Sequence, residues 1–394
     1  MDVTFYRTGM THTTTPSPLL EPARLGALDL PNRLVMAPLT RNRADADGVP
    51  GPLMATYYAQ RATAGLIIAE ATTPNAVGRT YPGTPAIHTA AQIAGWRRVT
   101  DAVRAAGGRM FLQLQHGGRV GHPDTSGLTP LAPSPVPLPE TIHTPGGRRP
   151  AVVPRAMTAD DVRATVTDFA RAARSAVEAG FAGVEVHAAN GHLLHQFIAR
   201  GTNLRTDAYG GTVEGRVRFP VEVVRAVAEA IGPGRVGVRV SPGATFNGIE
   251  ESASDEVYPA LVAALARIGP VYLHHEFADP DRPPFRTLRA AWPGTLIANP
   301  ALGAGAPPPD GGRAAGEALL QAGADLVSLG RAFLANPDLV ERLRLGAPLN
   351  ALRERHMMYV GGATGYTDYP TLAPARAGAV RGEGPVAGPG TTRH

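Results

Sequence analysis

The chain has 394 residues, of which 43% are hydrophobic and 18% are charged. This apolar content can build a large buried core, so an intrinsically disordered protein is excluded. There is no cysteine, and every one of the 38 basic residues is arginine, which excludes disulfides, thiolate zinc sites and catalysis by cysteine or lysine. The net charge of +5 comes from scattered arginines, a pattern that does not favour binding to nucleic acid.

The two ends of the chain differ from its middle. Residues 1–18 and 375–394 show no hydrophobic period, so we expect disordered tails around a single domain of residues 19–374. No apolar run approaches the ~20 residues of a membrane span, and the first residues lack the pattern of a signal peptide. We therefore expect a cytoplasmic protein with no membrane partner.

Eight short apolar runs, separated by longer stretches, predict strands that are buried on both faces. They are residues 33–37, 66–69, 110–114, 183–187, 236–240, 271–274, 296–298 and 326–329. Helical patterns between them are clearest at residues 159–179, 221–231 and 316–322, each followed by glycine. Eight strand–helix units predict an α/β fold, a (β/α)8 TIM barrel.

One connection is unusually long. Residues 119–155, which follow the third predicted strand, are rich in proline and glycine. A loop of this length at the carboxyl end of a barrel strand commonly lies over the active site. We expect it to form a lid or capping element.

Polar residues lie at or just after the carboxyl ends of the predicted strands, where barrel enzymes carry their active sites. They include Thr40, Glu70, Gln113, Gln115, His116, His187, Asn190, His192, Arg239 and Arg331. Amides, a threonine and arginines suit a polar heteroaromatic ligand. Gly330 and Arg331 precede a short helical run, which favours a phosphate site, although a helix cap with a surface arginine would give the same pattern.

The histidines at and after the end of the fourth strand are candidate metal ligands. His187, His192 and His195 have no nearby carboxylate, and Asn190 is a poor ligand, so we expect no metal site. His187 and Asn190 together can donate two hydrogen bonds to one oxyanion, while a satisfied histidine at a strand end is the alternative. A serine-hydrolase elbow and a dinucleotide-binding glycine motif are both missing.

Ordered motifs between about residues 20 and 372 resemble those of the old yellow enzyme family of FMN-dependent ene-reductases, especially its bacterial branch. In one-letter code they are MAPLTR at 36–41, YYAQRA at 57–62, GLIIAEAT at 65–72, QL at 113–114 before His116, LLHQF at 193–197, TD at 206–207 with YGG at 209–211, RVSP at 239–242, GRAFLANPDL at 330–339 and GYTDYP at 365–370. This resemblance implies a barrel with non-covalent FMN at its mouth.

The resemblance also implies the residues of the cofactor site. Thr40 would hydrogen-bond the carbonyl side of the flavin, Ala71 would touch the ring edge, and Gln113 and Arg239 would bind the pyrimidine end. Gly330 and Arg331 would hold the phosphate. Pro38 and Leu39 complete the expected cofactor-binding set.

By the same resemblance, NADPH or NADH reduces FMN, and the reduced flavin gives hydride to the β-carbon of an α,β-unsaturated carbonyl or nitro compound. His187 and Asn190 would bind the activating oxygen of this alkene. Tyr81, Gln115 and Tyr359 would line the substrate pocket. A monomer and a homodimer are both compatible with the sequence.

Three departures from the family pattern leave alternatives open. His192 stands where the family has a proton-donating tyrosine, Gln115 replaces a common tryptophan, and the 299–312 loop is longer and richer in proline. If His192 or water donates the proton, the protein is an ene-reductase. If protonation is weakened, it is a redox-neutral flavin-dependent isomerase or a specialised biosynthetic enzyme. The third alternative is a binding protein that keeps the barrel and an FMN-like ligand without turnover.

Overall fold

The computed structural model describes residues 17–251, 254–303 and 305–372. The strands are β1 Ala23–Leu25, β2 Leu28–Leu30, β3 Leu34–Met36, β4 Leu66–Thr72, β5 Met110–Leu114, β6 Leu131–Ala132, β7 Thr141–Thr144, β8 Gly147–Pro150, β9 Arg155–Ala156, β10 Gly183–Ala188, β11 Val236–Val240, β12 Tyr272–Ala278, β13 Thr295–Pro300 and β14 Leu326–Leu329. The α-helices are α1 Pro52–Ala59, α2 Ala90–Ala105, α3 Pro123–Ser126, α4 Ala159–Glu178, α5 Leu193–Ile198, α6 Val213–Ile231, α7 Ser254–Ala266, α8 Pro283–Ala291, α9 Arg313–Gln321, α10 Arg331–Ala335 and α11 Leu339–Leu345.

Eight strands form a closed parallel barrel in the order β3, β4, β5, β10, β11, β12, β13, β14, and β14 pairs with β3. These are the eight predicted strands, so the predicted (β/α)8 fold is confirmed. The largest difference lies in β12, which was expected to end at residue 274 and continues to Ala278. The barrel strands are buried almost throughout, which explains their continuous apolar runs.

The helices cover the outside of the barrel. The longest, α4, begins with a capping box in which Thr158 and Asp161 each bind the other's backbone N–H. Its inner face includes Val162, Phe169 and Ala173, all fully buried in the main core cluster. Among the described residues, no helix is long and apolar enough to cross a membrane.

The excursion of residues 119–155 folds into small elements of its own. Strand β6 pairs with β9, and β7 and β8 form an antiparallel hairpin. At its start, the Arg119 guanidinium donates to the carbonyl oxygens of Asn247 and Gly248, at 2.9 and 2.8 Å. Since these residues follow β11, the excursion begins at the carboxyl end of the barrel, while its role as a lid stays a prediction.

The N-terminal boundary differs from the expected tail of residues 1–18. Ser17 is buried and its hydroxyl donates to Glu317 on α9, while Pro18 begins a 3-10 turn that buries Leu19. These contacts against α9 make residues 17 and 18 part of the fold. The rest of that predicted tail and the whole of 375–394 lie outside the described residues.

His275 provides a test of stability against pH. Its ring stacks on Phe285 of α8, and burial lowers its pKa from 6.5 to about 3. The unfolded chain protonates His275 at a higher pH than the folded chain does. The folded state is therefore most stable, as far as His275 is concerned, above about pH 6.5, and it loses stability as the pH falls. We expect His275→Leu to flatten the pH dependence of the free energy of unfolding between about pH 6 and 4, by up to ~1.4 kcal/mol per pH unit.

Urea denaturation at a series of pH values measures this slope. The matched control is His143→Leu on β7, because the exposed ring of His143 stays in water when the chain folds. Parallel slopes for the wild type and His275→Leu would contradict the expected role of burial.

Candidate active site

A buried carboxylate lies at the centre of the polar groups inside the barrel. Glu185 on β10 is fully buried, and its Oε1 accepts a hydrogen bond from Gln113 Nε2 at 2.8 Å. Its Oε2 pairs with His274 Nδ1 at 2.7 Å and accepts from the Tyr272 hydroxyl at 3.1 Å. Burial opposes ionisation of Glu185, but His274 and Gln113 outweigh it, so the pKa of Glu185 lies below its ordinary value.

Gln113 connects this carboxylate to the predicted catalytic histidines. Its second amide hydrogen donates to His187 Nδ1 at 3.1 Å, so that nitrogen carries no proton. Neutral His187 therefore carries its proton on Nε2, which lies 3.1 Å from His192 Nδ1. Neutral His192 in turn carries its proton on Nε2.

The electrostatics keep both rings neutral at pH 7. Burial, followed by the nearby His192 and Arg239, lowers the pKa of His187 well below its ordinary value. Burial also lowers the pKa of His192 to about 4. Within the described residues His192 Nε2 is buried with no hydrogen-bond partner, so the chain from Glu185 ends in an unused N–H group.

The two expected oxygen-binding donors make contacts within the protein. His187 Nε2 faces His192, and Asn190 Nδ2 donates one hydrogen to Glu276 at 2.7 Å. His192 Nε2 has no partner within the described residues. The role of His187 and Asn190 at a substrate oxygen stays a prediction.

Arg239 and Glu276 form an ion pair beside this group. Arg239 Nε donates to Glu276 Oε2 at 2.9 Å, and both side chains are nearly buried. Asn190 shares that same oxygen, while its backbone N–H donates to Ser241 Oγ at 2.9 Å. Arg239, Asn190 and Glu276 are therefore held together at the carboxyl ends of β10, β11 and β12.

Two expected cofactor-binding residues are positioned by a buried cluster of hydrogen bonds around Glu70. Glu70, next to Ala71, accepts from the backbone N–H groups of Arg41 and Asn42 at 3.0 and 3.1 Å. The Tyr58 hydroxyl donates to the other oxygen of this carboxylate at 3.1 Å. Thr40 is therefore fixed relative to Ala71, because Arg41 follows it directly in the chain.

The expected phosphate residues, Gly330 and Arg331, follow β14. Pro38, Leu39 and Thr40 follow the neighbouring strand β3, and all five residues are half-buried. A Cβ at Gly330 would come within 3.2 Å of Leu39 Cδ2, so glycine allows this close packing. Arg331 donates to the carbonyl oxygens of Gly303 and Gly305 in the long loop after β13, which differs from an arginine free to bind phosphate.

The expected pocket residues are Tyr81, Gln115 and Tyr359. Burial and then the nearby Tyr359 raise the pKa of Tyr81 to about 12. Gln115 is buried, and its amide donates to Thr80 Oγ1 at 3.0 Å. Tyr359 is 38% exposed. The carbonyl oxygen of the preceding residue, Met358, accepts a hydrogen bond from Arg41 at 2.8 Å.

The residues at this end of the barrel fit FMN. Of the buried polar atoms that lack a partner within the described part of the chain, three belong to this site, namely Arg239 Nη1, His192 Nε2 and Asn190 Oδ1. An unpartnered guanidinium nitrogen suits the carbonyl oxygen and developing negative charge of a flavin pyrimidine ring. Gln113 uses both amide hydrogens within the protein, which leaves its carbonyl oxygen for the flavin imide N–H. The fold and this donor set define a barrel oxidoreductase that binds a flavin.

Comparisons with known proteins agree with this class. The profile of the NADH:flavin oxidoreductase / NADH oxidase family matches residues 18–350. The chain is similar to the solved structure of morphinone reductase in complex with tetrahydroNAD, with a TM-score of 0.84 and 44% identity, covering 91% of this chain and 98% of that one. It is 40% identical to 12-oxophytodienoate reductase 1 of Oryza sativa subsp. japonica, covering 90% of this chain and 93% of the relative.

A further relative is the probable flavin mononucleotide-dependent alkene reductase of Leishmania infantum, 39% identical over 90% of this chain and 97% of its own length. The chain belongs to the NADH:flavin oxidoreductase / NADH oxidase family, which confirms the resemblance to old yellow enzymes. It is an FMN-dependent oxidoreductase of the ene-reductase type with a nicotinamide hydride donor. Nothing in these comparisons favours the isomerase alternative.

Two residues of the site were missed in the sequence. Glu185 is a charged residue inside an apolar strand, two positions before His187 and on the same face. Glu276 lay beyond the predicted end of its strand, at residue 274. The alternation of Tyr272, His274 and Glu276 along β12 would have revealed it.

The network predicts the tautomers of two histidines. We expect His187 and His192 to be neutral at pH 7 with the proton on Nε2 in both, because Gln113 can only donate to His187 Nδ1. Nitrogen-15 NMR of the histidine rings measures this directly. Gln113→Leu removes the constraint and should mix the two tautomers, whereas an Nδ1–H signal for His187 in the wild type would contradict the assignment.

Proposed function

We propose that the protein reduces the C=C bond of α,β-unsaturated carbonyl or nitro compounds, with His192 Nε2 as the group that delivers the proton. The observation that carries this proposal is the buried, unpartnered Nε2–H of His192, at the end of the series of hydrogen bonds from Gln113 through His187. FMN, when bound, supplies the hydride that it has taken from NADPH or NADH. The residues of this chain bind, orient and protonate.

We propose the following residues for the cofactor. Arg239 stabilises the negative charge of the reduced ring through Nη1, and Gln113 binds the pyrimidine end through its carbonyl oxygen. Thr40 and Ala71 would hold the ring, and the hydrogen bonds around Glu70 support both residues. Pro38 and Leu39 complete the cofactor-binding set. Gly330 and Arg331 would hold the phosphate, for which Arg331 exchanges its loop carbonyl partners.

The activating oxygen of the alkene is bound by His187 and Asn190. Asn190 has a second amide hydrogen besides the one held by Glu276, and His187 can share its Nε2–H between His192 Nδ1 and a substrate oxygen. Two donors on one oxygen stabilise the enolate that forms as hydride arrives. Tyr81, Gln115 and Tyr359 line the pocket around the rest of the substrate.

His192 then protonates the α-carbon. With its pKa at about 4, His192 is neutral at pH 7, so the proton comes from a neutral N–H, and the ring is reprotonated from solvent afterwards.

The lid role of residues 119–155, the cytoplasmic location and the choice between monomer and homodimer stay predictions.

The visible spectrum tests the reductive half of this proposal. We expect purified protein to be yellow and to bleach when NADPH or NADH is added without oxygen, because the flavin accepts hydride. Subsequent 2-cyclohexenone should restore the colour as the alkene is reduced. A yellow protein that neither nicotinamide donor bleaches would contradict the proposal.

Replacement of His192 separates the two halves of the reaction. We expect His192→Phe to leave anaerobic flavin reduction close to the wild-type rate and to slow alkene reduction by about 10²–10⁴-fold, since it removes a general acid. Stopped-flow absorbance measures both steps. His192→Tyr should recover part of the alkene rate, because a phenol also donates a proton.

His275→Leu is the matched control, since this histidine packs against α8 outside the site. An alkene rate in His192→Phe equal to the wild-type rate would show that another donor, such as water, delivers the proton.

A further inference from the structure

Glu276 faces the interior of the barrel because of the alternation of side chains along β12. Tyr272 and His274, on the same face of the strand, both reach Glu185. Two residues further on, Glu276 reaches Arg239 and Asn190, while His275 points outward to Phe285. The strand therefore presents a carboxylate at the level of the expected flavin and substrate.

A single oxygen of this carboxylate holds two functional groups. Glu276 Oε2 accepts from Arg239 Nε at 2.9 Å and from Asn190 Nδ2 at 2.7 Å. The Glu276 side chain is only 11% exposed, so water screens the pair weakly. Arg239 is gripped through Nε, while its Nη1 stays buried without a partner in the described part of the chain.

The backbone beside Glu276 is irregular. The pairing of β12 with β13 shifts between His275 and Ala278, and Phe277 has a φ of 58°, which is uncommon for a bulky side chain. A bulge of this kind changes the direction of a strand and is frequent beside active sites. Here the regular pairing stops at His275, directly before the carboxylate, and Phe277 stacks on Phe246 with the ring centroids 5.2 Å apart.

We propose that Glu276 is a positioning residue that joins the flavin-binding Arg239 to the substrate-binding Asn190 and weakens the positive charge that Arg239 presents to the flavin. The inference rests on the proposed function, because it needs Arg239 to lie against FMN. A reduced flavin is more negative than an oxidised one, so a neighbouring carboxylate disfavours reduction. Glu276 therefore lowers the reduction potential of the bound flavin and favours hydride transfer onward to the alkene.

The experiment is spectroelectrochemical titration of the FMN-loaded protein. We expect Glu276→Gln, which keeps the size and an acceptor oxygen but removes the charge, to increase the equilibrium constant for two-electron reduction about tenfold, or ~30 mV. Glu276→Asp keeps the charge and should stay near the wild-type potential. Asp279→Asn is the matched control, because it removes one negative charge from the segment directly after β12, where Asp279 faces the exposed Arg282.

Equal potentials for wild type and Glu276→Gln, or an equal rise in Asp279→Asn, would overturn the proposed role of Glu276. Arg239→Gln distinguishes this failure from failure of the flavin site itself. If Arg239→Gln lowers the potential while Glu276→Gln leaves it unchanged, the flavin site stands and only the role of Glu276 fails. If Arg239→Gln leaves the potential unchanged, the placement of Arg239 against FMN is wrong.

Discussion

The burial of an ionised carboxylate inside the barrel determines the arrangement of the site. Glu185 has no access to solvent, so each of its oxygens must be satisfied by protein donors. Gln113 fills this requirement with one amide hydrogen and thereby directs the other to His187. The need to satisfy the buried Glu185 carboxylate therefore also determines the hydrogen bond that His187, a proposed catalytic residue, receives.

The barrel fold could be predicted from the sequence because its strands are buried on both faces. Such strands are continuous apolar runs, and eight of them separated by helical stretches leave few other architectures. Strand ends were less certain, and the end of β12 had a consequence, since stopping it at residue 274 excluded Glu276. A polar residue inside an apolar run looks like the end of a strand, although here it points into a polar barrel interior.

Candidate site residues could also be named from the sequence, but not their partners. Thr40, Gln113, His187 and Arg239 are candidates because they lie at or near the carboxyl ends of predicted strands. Their hydrogen bonds depend on three-dimensional neighbours from other strands, such as Glu276 opposite Arg239 and Asn190. The guanidinium of Arg331 donates to carbonyl oxygens of the unusual loop after β13, and these compete with a phosphate for it. No sequence motif indicates this contact.

The replacement of a tyrosine by His192 gives the buried network a further task. A phenol carries its single proton on one atom, so a tyrosine needs no control of its tautomer. A neutral histidine donates from only one of two nitrogens, and the wrong tautomer would present an acceptor to the substrate. Because Gln113 can only donate to His187 Nδ1, the proton of His187 is fixed on Nε2 and that of His192 on its outer nitrogen. In the proposed reaction, Glu185 and Gln113 therefore allow a histidine to act as the proton donor at this position, and burial, which lowers its pKa to about 4, keeps it neutral.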